Sequence, residues 1–261
     1  MDCREVTEKL EMLCPRSFAE SWDNVGLLAG RYGKEIHKVM LAVDASDRVV
    51  EEAVREGADL LLTHHPLIFS PKKNVNDGDF VGRRLVKLLG NDICYYAMHT
   101  NFDVLCMAEA AADKIRLEDR QVLDVTKQEE SRTEGIGRTG KLPSRISLYE
   151  CAQMVKDVFA LKSVKIFGSR ERMLERAAIC PGSGKSVIEK AAEMEADVLI
   201  TGDIDHHSGI DAMAMGLSII DAGHYGLEKI FVPYMEEFLE KECGTLTVMR
   251  GQEESPFWVL S

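Results

Sequence analysis

The chain lacks any uninterrupted apolar run of about 18 residues, the length a membrane-spanning helix requires. Its N-terminal Met1-Asp2-Cys3-Arg4-Glu5 has no apolar stretch of the kind a secretory leader carries, so a soluble protein in a cytoplasmic location is the expectation. No Cys-x-x-Cys occurs among its seven cysteines, which are scattered and odd in number. Reduced, mostly buried thiols are therefore expected rather than disulfides or a zinc–thiolate site. Positive charge is also short: 32 Lys and Arg stand against 44 Asp and Glu, a net charge of −12. That balance argues against a broad nucleic-acid-binding surface, though not against a local basic pocket for an anionic small molecule. Lys72 and Lys73 are one candidate edge for such a pocket, with a solvated loop as the plainer reading.

Histidine is scarce too, with seven residues, yet six of them fall in four short motifs. These are Thr63-His64-His65-Pro66, His99-Thr100-Asn101-Phe102-Asp103, Gly202-Asp203-Ile204-Asp205-His206-His207 and His224-Tyr225-Gly226-Leu227-Glu228; only His37 stands apart. Imidazoles gathered with carboxylates are what a metal site looks like in sequence.

Length and a 45% apolar content suit one large α/β domain or two smaller ones. The first half alternates helix and strand: a helix over Arg4–Leu13, strands over Lys38–Val43, Ala58–Thr63 and Ile93–Ala97, and helices ending near Glu56, Leu89 and Arg116. The nearly continuous apolar strand before His64 reads as buried on both faces, as in parallel sheets. Glu118–Arg132 is charged and weakly periodic, and is expected to be the connection between halves. The second half gives strands over Ile136–Leu142, Val164–Phe167, Ala177–Cys180, Asp197–Thr201, Leu217–Asp221 and Thr245–Val248. Pro143-Ser144 marks a break before a helix over Leu148–Phe159. A helix follows Cys180 and reaches Glu195, a short one spans Ser208–Met215, and Pro233 should kink or restart the long helix over Tyr225–Glu242.

The halves repeat one another. Lys38–His65 overlays Arg176–Asp203 without a gap, with identities at Val49/Val187, Glu51/Glu189, Ala53/Ala191, Ala58/Ala196, Asp59/Asp197, Leu61/Leu199 and Thr63/Thr201. A second alignment sets His99 on His224 and Asp103 on Glu228, each pair reading His-x-x-x-carboxylate after a strand. Duplicated α/β repeats over residues 1–125 and 126–261, intertwined around one site, are the expectation.

His64-His65 lies where a strand becomes a loop, so both rings can converge, whereas inside a strand they would point to opposite faces. His224 and Glu228, four residues apart, share one helix face. A carboxylate such as Asp103 can bridge two divalent ions, and His99 reads as a ligand or, preferably, a second-layer partner or proton relay. His206-His207 would lie near the cleft or cap the following helix. Pro181-Gly182-Ser183-Gly184-Lys185-Ser186 lacks the first glycine of a P-loop, position 179 being Ile179, and reads as a tight turn that could also present N–H groups to an anion.

Ser21-Trp22-Asp23-Asn24-Val25-Gly26-Leu27, Thr63-His64-His65-Pro66-Leu67, His99-Thr100-Asn101-Phe102-Asp103 and Asp221-Ala222-Gly223-His224-Tyr225-Gly226-Leu227-Glu228 together resemble the NIF-three-like proteins, often labelled GTP cyclohydrolase type two homologues. Gly135-Ile136-Gly137-Arg138 and Thr201-Gly202-Asp203 fit the same pattern, and the resemblance covers nearly the whole chain. It implies two intertwined α/β repeats with mixed, mostly parallel sheets. By matching motifs it implies a dinuclear metal centre held by His64, His65, Asp103, His224 and Glu228. It further implies a ring-shaped homohexamer with metal sites facing an internal cavity. The function that follows is a metal-dependent hydrolase acting on a nucleotide or related small molecule, with two divalent ions per chain drawn from zinc, iron, manganese, cobalt or nickel. The rival is a metal-binding or regulatory scaffold without turnover, forming the same ring.

Overall fold

The computed structural model describes residues 1–130, 132–253, 255–258 and 260. In chain order its strands are β1 (Gly26–Ala29), β2 (Lys38–Ala42), β3 (Leu60–Thr63), β4 (Cys94–Ala97), β5 (Glu118–Gln128), β6 (Thr133–Ser147), β7 (Lys165–Phe167), β8 (Met173–Ser183), β9 (Val198–Gly202), β10 (Ser218–Asp221) and β11 (Thr247–Arg250). The helices are α1 (Cys3–Leu13), α2 (Asp47–Arg55), α3 (Phe80–Gly90), α4 (Thr100–Phe102), α5 (Ala108–Lys114), α6 (Leu148–Val158), α7 (Ile188–Glu193), α8 (His206–Ala214), α9 (His224–Glu228) and α10 (Phe231–Glu242). Among the described residues, no helix is long and apolar enough to cross a membrane.

Two compact units share the chain, Met1–Phe102 with Phe231–Pro256, and Asp103–Ile230 with Phe257–Ser261. They are intertwined in sequence, because the chain leaves the first unit at Phe102 and returns to it at Phe231. The repeat divide drawn near residue 125 falls inside β5.

The first unit holds a five-stranded sheet in the order β1-β4-β3-β2-β11, parallel except at the β1 edge. Every residue of β3 and β4 is buried, as the unbroken apolar run before His64 predicts. Asp2 and Glu5 form a reciprocal capping box on α1, and the Ser46 hydroxyl accepts from the Val49 N–H to start α2. Helices α2 and α3 bury Val49, Val50, Ala53, Leu85 and Leu88 in one core with Leu61 and Tyr95.

The second unit holds a mixed six-stranded sheet in the order β5-β6-β8-β9-β10-β7. Its centre, β8-β9-β10, is parallel and its flanks are antiparallel. The repeat is visible in detail. Asp59 Oδ2 accepts the N–H groups of His37 and Lys38 at 2.9 and 3.0 Å, and Asp197 Oδ2 accepts those of Glu175 and Arg176 at 2.8 and 2.9 Å. Each aspartate thus ties the start of its own strand to the strand beside it, which explains why this pair survives in both copies.

Several sequence expectations need correction. Glu118–Gln128 is the edge strand β5, antiparallel to β6, rather than a connection. It buries only Leu123, so no apolar alternation marks it. Ser131, in the same expected connection, lies outside the described residues. Strand β6 continues through Pro143-Ser144 to Ser147, with its register interrupted between Lys141 and Ile146 where proline cannot donate. The helix expected over Tyr225–Glu242 is two, α9 and α10, and Pro233 sits in the first turn of α10, where its missing N–H costs nothing. The helix expected to end near Arg116 begins at Thr100 and passes through a π-helical turn at Asp103–Met107.

Candidate metal centre

In the first unit, the end of β3 presents a pair of histidines. The His64 and His65 N–H groups carry the β2 pairing past the strand end, donating to Ala42 and Val43 carbonyls at 3.3 and 2.9 Å. The Thr63 and Tyr95 hydroxyls donate to the His65 carbonyl at 2.8 and 3.0 Å, which pins the turn. His64 is fully buried against Phe231 and Phe102. Its Nδ1 lies 2.8 Å from the Met98 carbonyl, which can only accept, so that nitrogen carries the proton and Nε2 the lone pair. His65 Nδ1 lies 2.9 Å from Asp44 Oδ1, and His99 Nδ1 lies 2.9 Å from Asp23 Oδ1. In all three rings Nδ1 thereby faces an oxygen acceptor and carries a proton. One ring nitrogen from each of the three lies within 4.8 Å of the others.

Asp23 also receives the N–H and hydroxyl of Thr100, so one carboxylate starts α4 and orients His99. Burial works to raise its pKa, but hydrogen bonds from His99 and Thr100 outweigh that and hold the carboxyl at about 2. Trp22 stands beside it, exposed, with its ring 6.0 Å from that of His99 and 5.7 Å from that of Phe69.

In the second unit, His224 opens α9 and Glu228 closes it. His224 Nδ1 lies 2.7 Å from Asp203 Oδ2, and Nε2 lies 3.0 Å from Glu228 Oε2. With the proton on Nδ1, the Nε2 lone pair faces a carboxylate oxygen, an arrangement that calls for a cation, a proton or a metal ion, between them. Asp203 adopts a left-handed backbone, φ +59°, directly after β9. Gly202 before it lets the chain pass, since a Cβ there would sit 2.4 Å from the His224 backbone nitrogen. Gly182, at φ +79°, makes room for Glu228: a Cβ at that position would lie 2.5 Å from Glu228 Oε1. Pro181-Gly182-Ser183, expected in a tight turn, is instead the end of β8, and Gly182 there is the floor under a carboxylate.

Asp103 begins the π-helical turn, a distortion frequent at functional sites. The buried Arg138 guanidinium braces it, donating to the Val104, Gly135 and Gly137 carbonyls and pairing with Glu109 and Glu134. Burial foremost, and then the charges of Asp103 and Glu228, push the Cys180 thiol well above its ordinary range.

The donors form two histidine/carboxylate clusters, consistent with two divalent metal sites per chain. The set fits such ions chemically: neutral imidazoles fixed through Nδ1, with carboxylates beside them, are mixed N/O donors for first-row divalent metals. His206 and His207 lie outside these clusters; they are exposed on the first turn of α8, ring against ring at 5.3 Å. Asp205 caps that helix and pairs with Lys185 at 2.8 Å. Lys72 lies in an exposed loop and pairs with Asp79 at 2.7 Å, in keeping with the solvated reading. The sequence did not connect Asp23 with His99, Asp44 with His65, or Gly182 with Glu228. Asp23 and His99 are 76 positions apart, and only the fold joins them. The available signal was an aspartate just past a strand end, at Asp44 after β2 and at Asp203 after β9.

The fold and these side chains define a class: a two-unit α/β protein carrying histidine and carboxylate clusters that could hold divalent metals. The chain belongs to the Duf34/NIF3 (NGG1p interacting factor 3) family, which matches residues 1–256. It is 32% identical over 261 residues to the Clostridium perfringens protein named GTP cyclohydrolase 1 type 2 homolog, covering 98% of this chain and 99% of that one. Reduced HcgD from Methanocaldococcus jannaschii is 32% identical and superposes with a TM-score of 0.83, covering 97% of this chain and 98% of that one. A Bacillus cereus protein related to NIF3 reaches a TM-score of 0.93 at 22% identity, over 100% of this chain and 99% of that one, a likeness of fold.

Proposed function

We propose that this protein is a metal-dependent hydrolase whose dinuclear centre is ligated by His64, His65, Asp103, His224 and Glu228 and acts on a nucleotide or related small molecule. The observation that carries the reading is the shared tautomer. Every histidine of the clusters commits Nδ1 to a carbonyl or carboxylate oxygen and keeps Nε2 as a donor. An oxygen partner on the far nitrogen fixes ring orientation and raises ligand basicity, as is usual for metal-binding histidines. Divalent ions in such a site supply Lewis acidity and make water a usable nucleophile near neutral pH. The chain's own residues then hold the geometry. Asp44 and Asp203 aim His65 and His224, Gly182 seats Glu228, and Arg138 braces the turn that begins with Asp103. His99, held by Asp23, stands beside His64 and His65 as a proton relay.

The relatives' names support ring-opening of GTP as the particular reaction to test first. The family resemblance also supports a homohexameric ring and a cytoplasmic location; light scattering on purified protein tests the first. Purified protein loaded in turn with zinc, iron, manganese, cobalt and nickel would be offered GTP and a panel of nucleotides and phosphoesters. Turnover that vanishes in Glu228→Ala and His65→Ala supports the enzyme. No turnover with any metal, despite full occupancy, overturns it in favour of a non-catalytic metal-binding scaffold.

A further inference from the structure

The segment after β11 returns along the end of β2, and its bonds converge on a single turn. Gly251 donates its N–H to the Leu41 carbonyl at 2.8 Å, and Gln252 donates its N–H to Glu52 Oε2 at 2.7 Å. Arg48 reaches the Gln252 side chain at 3.0 Å. Glu253 then places Oε1 against two backbone N–H groups at once, those of Val43 and Asp44, at 2.9 and 2.8 Å. That peptide segment is held from its other side as well, since the Val43 carbonyl accepts the His65 N–H at 2.9 Å. The Asp44 side chain extends from it to His65 Nδ1 at 2.9 Å.

A carboxylate that accepts two adjacent backbone N–H groups fixes the orientation of that peptide more tightly than a single bond would. Here the fixed peptide carries the aspartate that selects the His65 tautomer. We infer that Glu253 is a positioning residue for the metal centre: it clamps the Val43-Asp44 turn so that Asp44 holds His65 with Nε2 directed as a ligand. The inference rests on the dinuclear reading above and extends it to a residue near the far end of the chain. Glu253 bonds to the Val43 and Asp44 backbone and acts through Asp44. The other bonds of the segment run from Gly251 to Leu41, from Gln252 to Glu52 and from Arg48 to Gln252.

The test compares Glu253→Ala, Glu253→Gln, Asp44→Asn and the double variant Glu253→Ala/Asp44→Asn, with Arg48→Ala as a control that loosens the same segment. Zinc affinity at each site is measured by competition with a chromogenic chelator. In metal-free protein, ring 15N shifts report the fraction of His65 protonated at Nδ1. Loss of an orienting partner costs a metal site about 10- to 100-fold in affinity. Glu253→Ala is expected to weaken one zinc by about 10-fold and to lower the Nδ1-H fraction of His65. Glu253→Gln, which keeps an acceptor oxygen, should recover most of both, and Arg48→Ala should change neither. The double variant should be no weaker than Asp44→Asn alone, because the two act in series. Wild-type zinc affinity and an unchanged His65 tautomer in Glu253→Ala overturn the inference, as do additive losses in the double variant. A wild-type protein that binds no zinc defeats the dinuclear reading instead, and the tautomer measurement still decides whether Glu253 governs His65.

Discussion

Replacing Gly182 with alanine sets a methyl group 2.5 Å from Glu228 Oε1, where ordinary contact begins at 3.4 Å. The carboxylate must then withdraw by the difference, 3.4 − 2.5, or about 0.9 Å. Metal–ligand distances hold to within about 0.2 Å, so a retreat of that size removes Glu228 as a ligand. The same residue sits at φ +79°, where a Cβ adds about 1–2 kcal/mol of backbone strain. For a chain of this size that strain lowers Tm by roughly 2–4 °C per kcal/mol. Gly57→Ala separates the two effects, because Gly57 has φ +64° with nothing within 4 Å of its Cβ position. Both variants should melt a few degrees early in differential scanning calorimetry. Only Gly182→Ala should lose metal, seen by elemental analysis after dialysis against a weak chelator. Full occupancy in Gly182→Ala would refute the reasoning that Gly182 exists to seat Glu228.

Asp203→Asn removes the anion that sets the His224 tautomer, and zinc affinity at that ligand should fall by about 10- to 100-fold in a chelator competition. Arg138→Met leaves Glu109 and Glu134 facing an apolar group and the Val104 carbonyl without its guanidinium donor. Because Glu109 is partly exposed, the cost should be about 2–3 kcal/mol in urea denaturation, below the full value for a severed buried pair. Asp23 gives a pH signature in metal-free protein. Its folded pKa, about 2, lies below the ordinary aspartate value of 3.8, so its stabilisation is complete above the unfolded value and lost as pH falls toward 2. The Tm gap between wild type and Asp23→Asn should therefore be widest above about pH 5 and narrow on acidification; a gap independent of pH would contradict that account.

The clustered histidines and carboxylates were legible because their spacing is local: His64-His65 and His224-x-x-x-Glu228 follow strands whose apolar runs identify them. Duplication was legible because Asp59 and Asp197 perform the same backbone task in each copy. Strand β5 was not, since an edge strand that buries only Leu123 leaves no alternation to read. The orienting aspartates were missed for another reason. Asp44 is 21 residues from His65 and Asp23 is 76 from His99, and hydrogen bonds across such separations leave no spacing rule. His206-His207 follows the helix-start reading of that pair, since the two rings pack against each other on the exposed first turn of α8.

Anomalous scattering from a crystal of metal-loaded protein would test the central claim most directly. The account predicts two metal peaks per chain, with His64, His65 and His224 bound through Nε2 and with Asp103 and Glu228 completing the ligand set. A single peak, no peak, or histidines bound through Nδ1 would contradict it.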